Sequence, residues 1–251
     1  MVWIRSASVC GLFFAALVGR SDWLRSSNAW LAAALVTLVW NAIIWRALDN
    51  HIFFVGYWVL AVGLALRSSD VENALRTNAR VLIGLAFLFA VFWKAISPDY
   101  LSGDFFEFEL LSDSRFSFIA ELAGGLAPDV GASNVAGWVG QQRSAEAVVL
   151  ASGPRIGATA QFLTWWTIGI ESLLVILFLG PERFVPAWLR YGVLVVFCVS
   201  TYSLVPVTGF AAAILAMTCA IPTTDRGRLV AAGSFLLLIT YSAAFHSARG
   251  M

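Results

Sequence analysis

Lys94 is the only lysine among sixteen basic residues in this chain, the rest being arginines, and it sits in the apolar run LIGLAFLFAVFWKAI. An amine placed near the end of a membrane helix is costly and marks a functional position by default. Unlike a guanidinium, it can lose its proton in dry surroundings and act as a base. Its position near the helix end also suits a lysine that snorkels its charge to the interface. Two more ionisable residues stand out, His51 in DNHIFFVGYW and Glu171 in WWTIGIESLLVIL. A histidine can relay a proton or hydrogen-bond a substrate; the alternative for His51 is an interfacial residue at a helix start. Glu171 becomes less costly if it faces a bundle interior and is protonated or hydrogen-bonded. A simpler role for it is a packing hydrogen bond, to Asn41 or Thr167. His246, beside Ser247 and Arg249, suits an interface.

The elements that must position these residues follow from composition. The chain has 251 residues, 60% hydrophobic and 12% charged, against about 25% charged in soluble domains. Its mean hydropathy is +0.81. These values predict an all-α, polytopic integral membrane bundle, organised as a single transmembrane domain over 1–251. A net charge of +1 gives no basis for nucleic-acid binding. Eleven tryptophans suit interfacial aromatic belts. Cys10, Cys198 and Cys219 are scattered through apolar stretches without metal or disulfide spacing, as buried small hydrophobes would be.

A membrane helix needs about 20 mostly apolar residues. By that rule eight spans are predicted, at roughly 2–19, 28–46, 51–67, 79–97, 158–180, 186–204, 206–222 and 228–246. The first lacks a convincing cleavage site and is expected to be retained. Pro206 is placed in the turn that divides the run 186–222. Arginine placement sets the orientation. Arg20, Arg25, Arg67, Arg76, Arg80, Arg183, Arg190, Arg226 and Arg228 fall on one side, and Arg5, Arg46 and Arg249 on the other. That bias puts both termini outside, together with the long acidic connection 98–157. In this connection Asp104 and Glu107 have capping-box spacing, whereas residues 106–110 alternate as a strand would. Gly124, Gly125 and Pro128 are expected to end that element, and 140–152 to form a second short helix.

The same orientation places His51 and Lys94 at similar depth, near the outer interface. Consecutive antiparallel helices are usually neighbours, so the two side chains would face one outward-opening pocket. Other chemistry finds less support. Gly124-Gly125 lacks the strand–loop–helix context of a phosphate cradle, and no spacing singles out a Ser-His-Asp triad.

The segment Lys94-Ala-Ile-Ser-Pro98-Asp99-Tyr100-Leu-Ser-Gly103 resembles the Lys-x-x-x-Pro-x-Trp-x-x-Gly pattern of the horizontally transferred transmembrane (HTTM) family, which includes the membrane part of vitamin K-dependent gamma-carboxylase. Asn50-His51-Ile-Phe-Phe-Val-Gly56 is similar to that family's Asn-His-x-Tyr-Leu-x-Gly stretch, and Glu171 to an acid in a later family helix. The resemblance covers roughly residues 28–222, although its specific part is two short motifs. It implies a site that uses a membrane quinol, with the lysine matching Lys94 as base and the histidine matching His51 assisting at the substrate. Size and resemblance imply a bacterial plasma membrane. Tyr100 stands where tryptophan is usual, and Val199–Phe210 lacks the histidine of the carboxylase. No large extramembrane domain for a protein substrate is expected either, so glutamate carboxylation itself is not the expected activity.

Three functions are compatible with these features. The first is a carboxylase-like membrane enzyme with Lys94 as general base, His51 as its partner and Glu171 as a third polar member. The second is a non-catalytic accessory or assembly subunit that docks a protein partner through 98–157. The third is a transporter or immunity-type membrane protein, in which Glu171 would line a path.

Overall fold

A computed structural model describes residues 25–44, 50–144, 147–202 and 208–222, with separate positions between 224 and 240. The expected span 2–19, Cys10, Pro206 and His246 lie outside the described residues, as do many positions of the span 228–246. The described residues are all-α, with no strand among them. The helices are α1 (Ser27–Ile43), α2 (Asn50–Ala65), α3 (Val71–Ile96), α4 (Pro98–Leu101), α5 (Asp104–Ser112), α6 (Ser117–Leu122), α7 (Pro128–Ser144), α8 (Ile156–Leu179), α9 (Ala187–Tyr202) and α10 (Thr208–Thr218). Of these, α3 and α8 are long and apolar enough to cross a membrane. Apolar stretches of α1, α2 and α9 are shorter, so the described residues do not establish the eight-span count. The α3 helix begins eight residues before the expected start at 79, because Asp70 caps it by accepting from Asn73 N at 3.0 Å.

The chain divides into two compact units, Met1–Ala79 and Arg80–Met251. In the first, α1 and α2 run antiparallel. Ser27 at the start of α1 donates to the Gly63 carbonyl near the end of α2 at 2.8 Å, and Arg67 reaches Ser27 and Asn28 at 2.9 and 2.7 Å. A side chain at Gly63 would press on Leu31, including its backbone nitrogen at 3.1 Å, so the absence of one lets the two helices approach.

In the second unit α8 is the central element. Its buried residues Ile156, Thr159, Ala160, Leu163, Thr164, Thr167, Ile170, Glu171, Leu174, Leu177 and Phe178 repeat every three or four positions and form one stripe. The opposite face exposes Phe162, Trp165, Leu173 and Ile176. A helix that is apolar all round suits a hydrocarbon environment. Around the lower part of the stripe, Phe87 meets Phe197 edge-to-face at 5.0 Å, and Leu174, Phe178, Leu194 and Ile214 are fully buried.

The segment 98–157 folds into short helices over the first turns of α8. Tyr100, Phe106, Leu110, Phe116, Ile119, Leu126, Ile156 and Leu163 form its core. Residues 106–110 are helical, so the alternation in sequence does not make a strand. The capping box does not form either, because the N-cap is Gly103 at φ 89°, without a side-chain cap. Gly124 and Gly125 do end α6, with Gly125 at φ 70°. Pro128, however, starts α7 rather than closing the preceding element, since a first-turn proline loses no helical hydrogen bond. The expected helix over 140–152 is displaced for a related reason. α7 runs from 128 to 144, and residues 147–153 return as non-helical chain. Asn134 holds that return at two points, donating to the Ala151 carbonyl at 2.7 Å and accepting from its nitrogen at 3.0 Å.

At the end of α5, Asp113 accepts from Arg115 N at 2.8 Å and from Arg115 Nε at 2.7 Å. Burial works to raise the Asp113 pKa, but the hydrogen bonds and charge of Arg115, and a hydrogen bond from Glu109, carry it below the ordinary carboxylate value. Burial, and next the Asp113 charge, raise Glu109 instead. A lowered carboxyl stabilises the fold above its unfolded pKa, and this is lost as pH falls through the folded value. A raised one has the opposite sign: it costs stability at neutral pH, and the cost is relieved as pH falls through its folded value. Glu109→Gln, which keeps a donor toward Asp113, should therefore raise the thermal midpoint at pH 7 and erase the difference from the unsubstituted protein near pH 4. An equal midpoint at both pH values would contradict this placement of Glu109.

Candidate buried acid–base site

The last turn of α3 carries Lys94, and the chain then turns sharply. Ser97 caps α4 by accepting from Tyr100 N at 3.3 Å, and Pro98 occupies the first helical turn. Lys94 and Tyr100 are therefore six positions apart, with a helix break between them. Both side chains reach α8. Lys94 Nζ donates to Glu171 Oε1 in a short charged contact. The Tyr100 hydroxyl lies 2.7 Å from Thr167 Oγ1. Thr167 Oγ1 can in turn donate to the Leu163 or Thr164 carbonyl, at 2.9 and 3.0 Å, which leaves Tyr100 as donor to Thr167. Thr167 and Glu171 are four residues apart and share one face of α8. A motif on one chain segment thus meets an i, i+4 pair on another.

Burial makes the arrangement consequential. Glu171 is 7% exposed, and the Lys94 side chain retains 18% of its area. Lys94 Nζ also lies 5.4 Å from the centroid of the Tyr100 ring, within cation–π range. That ring is held by Phe105, stacked at 5.2 Å, and by Phe106, edge-on at 5.4 Å. Burial first, with the Glu171 charge adding to it and the Thr167 hydrogen bond opposing it, raises the Tyr100 pKa, so its hydroxyl stays protonated and acts as a donor. Glu171 Oε2 is buried and has no hydrogen-bond partner among the described residues. The same holds for the Tyr202 hydroxyl. Unpaired buried polar atoms are costly, and these two provide acceptor and donor capacity for a polar group of a ligand.

Lys94 and Glu171, expected as two members of one site with His51, are paired directly. Lys94 turns inward to a carboxylate rather than snorkelling. The partner of Glu171 is Lys94, while Thr167 serves Tyr100. His51 stands in the first turn of α2, in the other unit; its side chain lies outside the described residues, and so does the pocket expected between it and Lys94. Cys198 and Cys219 are free, the first buried and the second half-buried. Among the described residues no three His, Cys, Asp or Glu side chains group as metal ligands would. Sequence alone does not single out Tyr202, since a tyrosine at the end of an apolar helix looks like an interfacial one. Comparison with protein-family models, with curated proteins and with solved structures finds no match to this chain.

Proposed function

We propose that this chain is a polytopic membrane protein in which the Lys94–Glu171 pair works as an acid–base centre on a membrane-soluble hydroxyl compound of the quinol class. The observation that carries this reading is the buried pair with one carboxylate oxygen left without a partner. The HTTM-like motif around Lys94 supports it, and so do the exposed apolar faces of α1, α3 and α8, which suit lipid contact. Under this reading the eight-span topology holds, in a bacterial plasma membrane with termini and 98–157 outside, and Lys94 lies near the outer face.

The residues divide the work. When Glu171 takes the Lys94 proton, the amine becomes neutral and can accept a proton from a substrate hydroxyl. The ammonium that forms is stabilised by the face of Tyr100 and by hydrogen bonding to Glu171. Glu171 Oε2 and the Tyr202 hydroxyl orient the polar head of the substrate, whose apolar body enters from lipid. A quinol supplies two acidic hydroxyls and a ring that can be oxidised. His51, by resemblance, would act at a second substrate.

The test uses the purified full chain with short-chain ubiquinol. Lys94→Arg should leave the protein monodisperse and its helicity intact, yet remove proton uptake from ubiquinol, because a guanidinium stays charged. Unchanged uptake would reject Lys94 as the base.

A second reading, an accessory subunit, draws on exposed apolar side chains of the 98–157 segment, with Leu122 at 66% and Val149 at 94%. A stoichiometric partner recovered in mild detergent, and released by deletion within 104–122, would favour it.

A further inference from the structure

A second polar cluster lies away from the Lys94 pair, where α8 ends and α9 begins. Arg190 is 5% exposed, and its Nε donates to the Leu177 carbonyl at 2.7 Å. That carbonyl belongs to the last turn of α8, whose final acceptors have no partner within the helix. Capping accounts for one Arg190 nitrogen only. Its Nη2 is buried with no hydrogen-bond partner among the described residues, and Arg80 Nε is in the same condition. The two guanidiniums reach Leu177 and Glu182, which are five positions apart on the chain where α8 ends. Against them, among the described residues, stands Glu182, which reaches Arg80 Nη1 at 3.3 Å with its own side chain 57% exposed. Among the described residues the cluster therefore carries an excess positive charge and two buried guanidinium nitrogens without a partner. A carboxylate that is more than half exposed holds its partner weakly, so Glu182 is easily displaced by a better acceptor.

We propose that Arg80 and Arg190 form a binding site for a phosphate group, with Glu182 occupying it in the ligand's absence. Planar guanidiniums match phosphate oxygens through paired hydrogen bonds. Basic pockets between membrane helices favour anionic headgroups in this way. A groove of about 570 Å³ along the exposed sides of α8 and α9 points to a lipid as the source of the phosphate. It is lined by Trp165, Trp166 and Trp188; Trp188 shares the first turn of α9 with Arg190, on the exposed side of the helix where Arg190 takes the buried one. Gly169 and Gly192 line it too, and a Cβ at either would meet nothing within 4 Å. That space suits an acyl chain, whereas free phosphate has no use for it.

The test titrates the full chain in detergent with short-chain phosphatidylglycerol, with short-chain phosphatidylcholine and with inorganic phosphate, reading binding by thermal shift. Phosphatidylglycerol should bind most tightly. Arg80→Gln should weaken it about ten-fold, the loss of one charge-assisted contact. Glu182→Gln should tighten it, which a purely structural Glu182 would not do. Gly192→Leu should weaken the lipid while leaving any phosphate binding as it was. Arg80 is the chosen site because Arg190→Gln would also uncap α8. Inorganic phosphate binding equally well, with the same dependence on Arg80 and Glu182, would uphold the phosphate site and assign it to a soluble anion. Binding of neither, or binding indifferent to Arg80 and Glu182, would overturn the proposal.

Discussion

Removing one member of the Lys94–Glu171 pair should destabilise the protein far more than removing both. Glu171→Leu leaves an ammonium facing an apolar helix, and Lys94→Met leaves a carboxylate that is 7% exposed. Stripping one partner from a buried pair costs about 3–5 kcal/mol. Lys94 keeps some solvent access, so the lower end applies, about 3 kcal/mol. For a chain of this size that is a fall of roughly 6–12 °C in thermal midpoint. The double variant Lys94→Met, Glu171→Leu replaces both charges by apolar groups of similar volume. It should return to within about 1 kcal/mol of the unsubstituted protein, because desolvation of two charges offsets much of what their attraction contributes. The double-mutant cycle should then give a coupling of about 5 kcal/mol. Two small, additive single effects would mean that Lys94 snorkels after all and that Glu171 has another partner. Stability and chemistry part company at this site: the double variant is the well-folded one, and by the proposed mechanism it is inert.

The contrast between what sequence conveys and what it hides is clear at this same pair. Each residue is conspicuous alone, because an ionisable group in an apolar run has few explanations. Their partnership is not, since they are 77 positions apart with a folded segment between them. The helices of the hydrophobic runs are legible for the same reason that membranes are selective: a run of about 20 apolar residues has one stable backbone form in lipid. Thus α1, α2, α8 and α9 begin within a residue or two of their expected positions. Segment 98–157 follows weaker rules. The alternation Phe106-Glu107-Phe108-Glu109-Leu110 gives a strand period, but tertiary burial of Phe106 and Leu110, four residues apart, selects the helix. Asn134 shows the limit differently. Its two hydrogen bonds to Ala151 decide where chain 147–153 runs, and nothing around Asn134 in sequence announces a clamp. In sequence Arg190 is only one more charge on the arginine-rich side; its burial and its bond to Leu177 come from packing.

Gly153→Ala and Gly131→Ala should move the stability of the 98–157 segment in opposite directions. A Cβ at Gly153 would stand 2.8 Å from the Gly124 carbonyl oxygen, 3.0 Å from Gly125 C and 3.0 Å from Leu126 N. All three are backbone atoms, so no side-chain rotation relieves the contact. The chain at 153 must withdraw from the 124–126 turn, straining the bond from Arg155 N to the Gly124 carbonyl at 3.1 Å. Overpacking of this kind costs about 1–3 kcal/mol. Gly131 lies inside α7, and its Cβ would meet only Leu126 Cδ2 at 3.4 Å, an ordinary contact. There alanine gains about 0.5–1 kcal/mol through the lost freedom of the unfolded chain. Limited proteolysis across 98–157 should speed up for Gly153→Ala and slow for Gly131→Ala. The effect of Gly153 should also reach the candidate site, because Tyr100, whose ring lies beside the Lys94 amine, belongs to the same core as Leu126 and Ile156. If both glycines tolerate alanine equally, the chain at 153 does not lie against the turn at 124–126, and the support for Tyr100 must come from Phe105 and Phe106 alone.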